Sequence, residues 1–420
     1  MLTREENQLL TQVGAGTPQG DVLRRYWLPA LLCEQVAEPD GTPVPVRLLG
    51  EDLVAFRDTR GRVGLVDERC PHRLASLVIA RNEDCGLTCL YHGWKFDVDG
   101  NCVDMPTEPE GYGFKNRVRI TSYPTREAGG IVWTCLAPGE EPPFPAFGWT
   151  ALPAEQRGIV KIGIRANYLQ SIEGAIDSAH SWFLHRGSSR DWQKRFDVST
   201  DQSPKLEAED TAYGFRYAAI RTPTQRPDEA KYVRVTLFAA PSTAFIPPPL
   251  DAGLPAHTQI FVPVDDERTM LYDVFHSQNG TPVDQSELRR SLHAQPDIDL
   301  DADWYRFATA KNRWRQDRAA MKAGSWTGIE GFQNQDIAAQ ESMGPVVDRS
   351  QEHLGTSDVA IIRMRRRQLD NVRRFQAGET LIGHDPAIAF GAMASEQRVI
   401  PIDTPWQSVG AHAGEYAAFA

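Results

Sequence analysis

Four residues in two short motifs of this 420-residue chain put thiols and imidazoles where a metal could take them. Cys70-Pro-His72 and Cys89-Leu-Tyr-His92 are separated by sixteen residues, and each arm carries one cysteine and one histidine. Zinc sites usually group cysteine with cysteine and histidine with histidine, and a structural zinc needs only four donors around one ion. Two mixed arms suit a pair of bridged irons instead, a [2Fe–2S] cluster with both cysteines on one iron and both histidines on the other. A zinc site, or four residues packed into a β core, are the alternatives that the residues leave open. The other cysteines, Cys33, Cys85, Cys102 and Cys135, are too sparse for a disulfide scaffold in a chain this long and read as reduced core residues.

A second group lies in Glu173-Gly-Ala-Ile-Asp177-Ser-Ala-His180-Ser-Trp-Phe-Leu-His185. On a regular helix Asp177 and His180 share a face, so the carboxylate can accept from the imidazole and fix its orientation. His185 is five residues after His180, about 140° further round an ideal helix, so both reach one ion only if the helix bulges or ends between them. Two histidines and a carboxylate on one face would leave iron positions open for oxygen. Taken alone, the two histidines read better as satisfied core or surface residues.

The segment from Cys70-Pro-His-Arg73 to Cys89-Leu-Tyr-His-Gly-Trp-Lys-Phe96 resembles the cluster-binding loops of Rieske oxygenases. High-potential Rieske proteins of respiratory complexes carry two further cysteines that cross-link these loops. Ala75 and Tyr91 stand there, so the resemblance is to the low-potential oxygenase and ferredoxin branch. With the second group, it extends over nearly the whole chain to the oxygenase (α) subunit of Rieske non-haem iron aromatic-ring-hydroxylating oxygenases. Met1-Leu-Thr-Arg-Glu-Glu-Asn7, Arg25-Tyr-Trp-Leu-Pro29, Cys102-Val-Asp-Met-Pro106 and Asp348-Arg-Ser-Gln-Glu-His-Leu-Gly355 resemble its phthalate dioxygenase-like branch.

The resemblance implies one [2Fe–2S] Rieske cluster on Cys70, His72, Cys89 and His92, and one mononuclear Fe(II) on His180, His185 and Asp336. Asp336 ends Gly331-Phe-Gln-Asn-Gln-Asp336, ahead of Glu341-Ser-Met-Gly-Pro345, with Glu341 and Asp348 as reserves. It also implies a homotrimer or stacked hexamer without a β subunit. Asp177 then acts catalytically, bridging histidines of the cluster and the iron across neighbouring subunits, and an isolated monomer is inactive. Nothing in the chain binds flavin or nicotinamide, so a separate NAD(P)H-dependent reductase supplies the electrons. The implied reaction uses O2 to hydroxylate an aromatic small molecule, carboxylated and phthalate-like; loss of a methoxy group as formaldehyde is the alternative. A Rieske electron carrier without oxygenase activity is the competing class.

The elements that must position these residues can be read in outline. Thr3-Arg-Glu-Glu6 spells a capping box ahead of Leu9, Leu10 and Val13 and predicts a short helix. Gly14-Ala-Gly-Thr-Pro-Gln-Gly20 fails as a dinucleotide loop, because its third glycine is one residue late, Pro18 intervenes and no strand precedes it. Short strands with turn residues run from Val46 to about Leu136, and Pro138-Gly-Glu-Glu-Pro-Pro-Phe-Pro145 marks a connection. Beyond it come a helix-like run from Asn167 to Leu184, four strands between Tyr213 and Phe275, and helical patterns over Asp303–Lys322 and Asp358–Phe375. Gly280–Asp303 reads as a polar loop over the second domain's site. The expected class is α+β: an N-terminal Rieske all-β domain followed by a helix-grip (START-like) catalytic domain with an antiparallel sheet. The expected domains are a helical lead-in segment at 1–40, the Rieske domain at 41–136, a linker at 137–157 and the catalytic non-haem iron domain at 158–420.

The net charge of −11 argues against nucleic acid, whose binding needs clustered Lys and Arg. No stretch approaches the roughly 20 apolar residues of a membrane span, and no signal peptide precedes the fold, so a cytoplasmic protein is expected. The Arg363-Met-Arg-Arg-Arg367 and Arg373-Arg374 run suits a solvated helix face, with docking of an acidic electron donor as the sharper reading. An aromatic acid would need arginines of its own, since a guanidinium matches a carboxylate in bidentate geometry. Arg216, Arg221 and Arg234 fall on predicted strands. Arg234 alternates with Val233 and Val235 and is the favoured one, with Ser178 as a minor hydrogen-bonding candidate.

Overall fold

The structure is a computed structural model describing residues 1–109, 111, 113–186, 198–248 and 254–410. Helix α1 (Arg4–Thr11) starts at the expected box: the Thr3 hydroxyl accepts from the Glu6 amide and the Glu6 carboxylate from the Thr3 amide. Helix α2 (Pro18–Leu23) follows, with Gly20 so close to the Gly14 carbonyl that a Cβ would lie 2.1 Å from it. That contact is what the glycine-rich stretch serves. The lead-in segment is not helical throughout. Its all-buried Leu28–Leu32 forms strand β1, which pairs with a strand about a hundred residues later.

Strands β2 (Val44–Leu48), β3 (Glu51–Arg57) and β4 (Val63–Asp67) form a meander. Period-2 alternation divides it between two cores. Leu53, Ala55 and Leu65 enter the large core shared with the rest of the chain, while Val54, Phe56 and Val66 pack against Cys70, Cys89 and Trp94. A small sheet of β5 (Arg81–Glu83), β6 (Gly86–Thr88), β7 (Lys95–Phe96) and β8 (Cys102–Asp104) carries the second Cys/His loop. Strand β9 (Ser122–Tyr123) closes the meander, and β10 (Thr125–Ala128) and β11 (Ile131–Thr134) join β1.

The second domain is built on an eight-stranded antiparallel sheet. Its strands are β12 (Arg157–Ile164), β13 (Lys205–Thr211), β14 (Gly214–Arg221), β15 (Ala230–Ala239), β16 (Thr243–Ile246), β17 (Ala256–Asp265), β18 (Arg268–His276) and β19 (Glu396–Pro401). They run in the order β12-β18-β17-β16-β15-β14-β13, with β19 also on β15. Across one face lie α3 (Tyr168–Ala175) and the short α4 (His180–Leu184). The expected Asn167–Leu184 helix is thus two helices. The Asp177 carboxylate interrupts it by accepting from the Ala179 and His180 amides, the usual way a short acidic side chain starts a new helix.

Gly280–Asp303 is not simply a loop, because Asp284 caps helix α5 (Gln285–Ser291). Asp303–Lys322 is mostly irregular, and only α6 (Arg318–Lys322) is an α-helix within it. Helices α7 (Phe332–Ser342) and α8 (Val359–Ala377) complete the domain. The arginine run on α8 is mostly a solvated face, with Arg366 and Arg373 exposed and Arg363 and Arg374 pairing with Asp210 and Asp370 at the surface, but Arg365 is buried against Glu173 and Glu352. Among the described residues no helix is long and apolar enough to cross a membrane.

Candidate active site

The two Cys/His loops are built alike. In each, the cysteine amide donates to the carbonyl five residues on (Cys70 to Ala75, 2.9 Å; Cys89 to Trp94, 2.8 Å). The amide four residues on returns a bond to the cysteine carbonyl (Leu74 to Cys70, 2.8 Å; Gly93 to Cys89, 2.9 Å). This tight turn needs a left-handed residue at the fourth position, supplied by Leu74 (φ 61) and Gly93 (φ 73). Cys70 and Cys89 are buried and free, while His72 and His92 sit at the tip with ring centroids 4.3 Å apart. Trp94 stacks on His72 at 4.3 Å. Burial pushes the Cys70 thiol up to about 11, the His72 amide opposes this, and the nearby Cys89 sulfur adds to it. A thiolate there forms when a metal replaces the proton.

In the second domain His180 starts α4 and His185 caps its end with non-helical angles (φ −95, ψ 6), so the helix ends where the spacing required. Their Nε2 atoms are 3.3 Å apart and lie 3.4 and 3.3 Å from Asp336 Oδ1, brought in by α7. Burial alone would raise the Asp336 carboxyl, but the two imidazoles hold it well below the usual carboxylate range. Burial would likewise depress His180, and the carboxylates of Asp336 and Asp177 outweigh it.

The expected Asp177–His180 bond is not made. Asp177 Oδ2 stands 3.8 Å from His180 Nδ1, which is buried without a partner among the described residues. The reserves lie elsewhere: Glu341 accepts from the Arg165 amide and the Trp314 indole, and Asp348 caps Ser350. Sequence reasoning missed Gln335. Its Oε1 lies 2.9 Å from His185 Nδ1, and its Nε2 donates to Thr327 Oγ1 and the Ile329 carbonyl. Adjacency to Asp336 was the only signal available.

Strand register decides the arginines. Arg216 and Arg221 are five apart on β14 and point to opposite faces. Arg234 pairs across from Ala219, which puts it on the face of Arg221. That face bounds a cavity of about 280 Å³ shared by His180, His185, Asp336, Asp177, Ser178 and Arg234. Arg234 Nε is buried there with no partner among the described residues. Arg216 is on the far face, bound to Glu209 and the Gly410 carbonyl beneath Trp406, which corrects its expected role at the substrate. Arg221 is corrected as well: it does not line the cavity but donates to the Ser178 and Asp201 carbonyls. Burial and the neighbouring Arg234 charge depress it. Ser178 lines the cavity and bonds the Tyr217 hydroxyl, whose own proton goes to the Ile176 carbonyl.

Two family descriptions cover most of the chain, the Rieske [2Fe-2S] domain at residues 26–124 and the LigXa C-terminal domain like family at 135–419. The oxygenase subunit of phthalate 4,5-dioxygenase from Pseudomonas putida is 45% identical, over 97% of this chain and 94% of its own. The chain belongs to the Rieske oxygenase family. The oxygenase subunit of 5,5'-dehydrodivanillate O-demethylase from Sphingobium sp. (strain NBRC 103272 / SYK-6) is 33% identical over 92% of this chain and 85% of its own. The terminal oxygenase of carbazole 1,9a-dioxygenase from Nocardioides aromaticivorans IC177 shares the fold, with a TM-score of 0.59 at 19% identity over 88% of this chain and 97% of that one.

As a Rieske oxygenase subunit the protein is an oxidoreductase whose cofactors are a [2Fe–2S] cluster and a mononuclear iron. Its residues fit both. Among the described residues, one group of three or more possible ligands converges within 4.8 Å, His180, His185 and Asp336. That suits a single ion with open positions. The Cys70, His72, Cys89 and His92 quartet does not converge on one point in this way, which suits two irons better than one zinc.

Proposed function

We propose that the Rieske oxygenase described here is the terminal oxygenase of a multicomponent system acting on a carboxylated aromatic, with the mononuclear iron on His180, His185 and Asp336 and the cluster on Cys70, His72, Cys89 and His92. The observation that carries the substrate class is Arg234: a buried guanidinium nitrogen without a partner lines the same cavity as the three ligands. An aromatic carboxylate supplies the missing acceptor and places its ring beside them. The 45% identical relative is named for phthalate, which supports the same class.

When bound, the iron supplies reductive activation of O2. The chain's own part is to hold and orient. Gln335 fixes His185, Asp177 shapes the turn that presents His180, and Arg234 anchors the acid. Apolar residues such as Phe261 and Leu271 exclude water from the cavity. Leu74, Leu90 and Tyr91 at the tip of the cluster loops are 67%, 57% and 57% exposed. An apolar tip of this size supports packing against a second copy, as a homotrimer or stacked hexamer in which the cluster of one subunit faces the iron of the next beside Asp177. A separate NAD(P)H-dependent reductase completes the system.

The test combines iron content with products. About three irons per chain, and NADH and O2 uptake only with a reductase and an aromatic acid, are expected; two irons and no effect of H180A/H185A would make it an electron carrier. R234Q raises KM for the acid with kcat less affected. Formaldehyde from methoxybenzoates, in place of a dihydrodiol from phthalate isomers, would select the O-demethylase reading that the Sphingobium relative supports. Sedimentation of the holoprotein as a monomer would overturn the trimer.

A further inference from the structure

The cavity holds a second polar cluster that the iron site does not use. His257 on β17 lines it, and its Nε2 is hydrogen-bonded to the Asp273 carboxylate on β18. Asp273 is fully buried, and its Oδ2 has no partner among the described residues. Cross-strand pairing of Gln259 with Asp273 and of His257 with Phe275 puts all four side chains on the face that carries Arg234. Phe275 stacks on the imidazole at 4.3 Å and 16°, so the ring is held in one orientation. The remaining ring nitrogen, Nδ1, makes no hydrogen bond among the described residues.

A purely apolar wall would be cheaper than this arrangement, because a buried carboxylate costs several kcal/mol unless a cation or donors meet it. The charged and titratable groups around the pair are few. On β18, the half-buried His276 is pushed down to about 4 by desolvation, so it is neutral. Asp336 of α7 and Arg306 act on Asp273 from a distance, with opposite signs, and Arg234 faces the same cavity. The group in contact with Asp273 that can carry positive charge is therefore His257. An imidazolium has a donor at both nitrogens, so with Nε2–H engaged by Asp273 the Nδ1–H is free for a ligand oxyanion.

We propose that His257, backed by Asp273, is a second anion anchor of the substrate cavity, so that the preferred ligand is a benzenedicarboxylate with one carboxylate on Arg234 and the other on the imidazole. The inference rests on the aromatic-acid reading above and adds a specificity-determining residue to it. Gln259, paired across from Asp273 on β17, lines the cavity beside the pair.

The test is calorimetric titration of the iron-loaded oxygenase with the three benzenedicarboxylates and with benzoate. In the wild type, at least one dicarboxylate binds tenfold or more tighter than benzoate. H257Q keeps a donor toward Asp273 but cannot carry a charge. It loses the preference at least tenfold, with benzoate affinity within twofold of wild type. D273N, which removes the carboxylate behind the ring, moves in the same direction. An unchanged dicarboxylate-to-benzoate ratio in H257Q overturns the anchor. If R234Q nevertheless weakens both acids, the aromatic-acid reading survives that result; if neither acid binds the wild type, both fall.

Discussion

Replacing Gln335 with leucine tests the iron site through a residue that never touches the metal. The Gln335 Nε2 protons are committed to Thr327 Oγ1 at 3.0 Å and the Ile329 carbonyl at 2.9 Å, so Oε1 must face His185 and accept from Nδ1–H. That sets the His185 tautomer and leaves its Nε2 lone pair directed at the point shared with His180 and Asp336. Leucine has nearly the same volume but strands a buried N–H on a histidine that is 2% exposed, at a cost of about 1–3 kcal/mol. Loss of such an orienting partner typically weakens metal binding about 10–100-fold, equivalent to about 1.4–2.8 kcal/mol. The assay is chelator competition for the mononuclear iron, with the visible absorbance of the cluster as an internal reference. Q335L gives up its mononuclear iron at 10–100-fold lower chelator while the cluster spectrum is unchanged. Q335E keeps the acceptor and stays within a few-fold of wild type. Iron affinity within twofold of wild type in Q335L would refute the argument.

Glu173 on α3 is buried between Arg349 and Arg365, whose charges outweigh the effect of burial and lower its pKa. E173Q therefore leaves the buried Arg349 guanidinium without its carboxylate and Arg365 with Glu352 alone, and costs about 3–5 kcal/mol, measured as a loss in denaturant midpoint. Because the folded pKa is depressed, this stability is present above the unfolded carboxylate value and falls away as pH drops through the folded one. Lys161 is the opposite case: burial depresses its amine to about 7, and the amine donates to Gln35 Oε1. Between pH 7 and 10 the unfolded chain binds the extra proton, so stability rises with pH by up to about 1.4 kcal/mol per unit. The wild type minus K161M difference in unfolding free energy should show that slope; parallel pH profiles would refute it. G20A places a methyl against the Gly14 and Val13 carbonyls and costs about 1–3 kcal/mol, read as a lower thermal unfolding midpoint.

Legibility in the sequence followed chain distance. The capping box, the two Cys/His arms and the His180–His185 spacing are local patterns, and each appears in the structure where the spacing placed it. The helix end between the histidines was legible from their spacing, but the earlier break at Ile176–Ala179 was not, because nothing local showed that Asp177 would spend its carboxylate on backbone amides instead of on His180. Gly280–Asp303 looked like a loop because the seven-residue α5 offers too few turns for its apolar period to show.

By itself the sequence determined which residues could ligate a metal, their grouping in two sets and the order of the domains, because a metal's demand for particular donors within a few residues is written in spacing. Only the tertiary structure decided which arginine reaches the cavity, that Gln335 orients His185 across 150 residues, and that His257 meets Asp273. Those outcomes depend on strand register and helix packing. A one-residue shift in register exchanges the faces of a strand, and no short stretch of sequence records it.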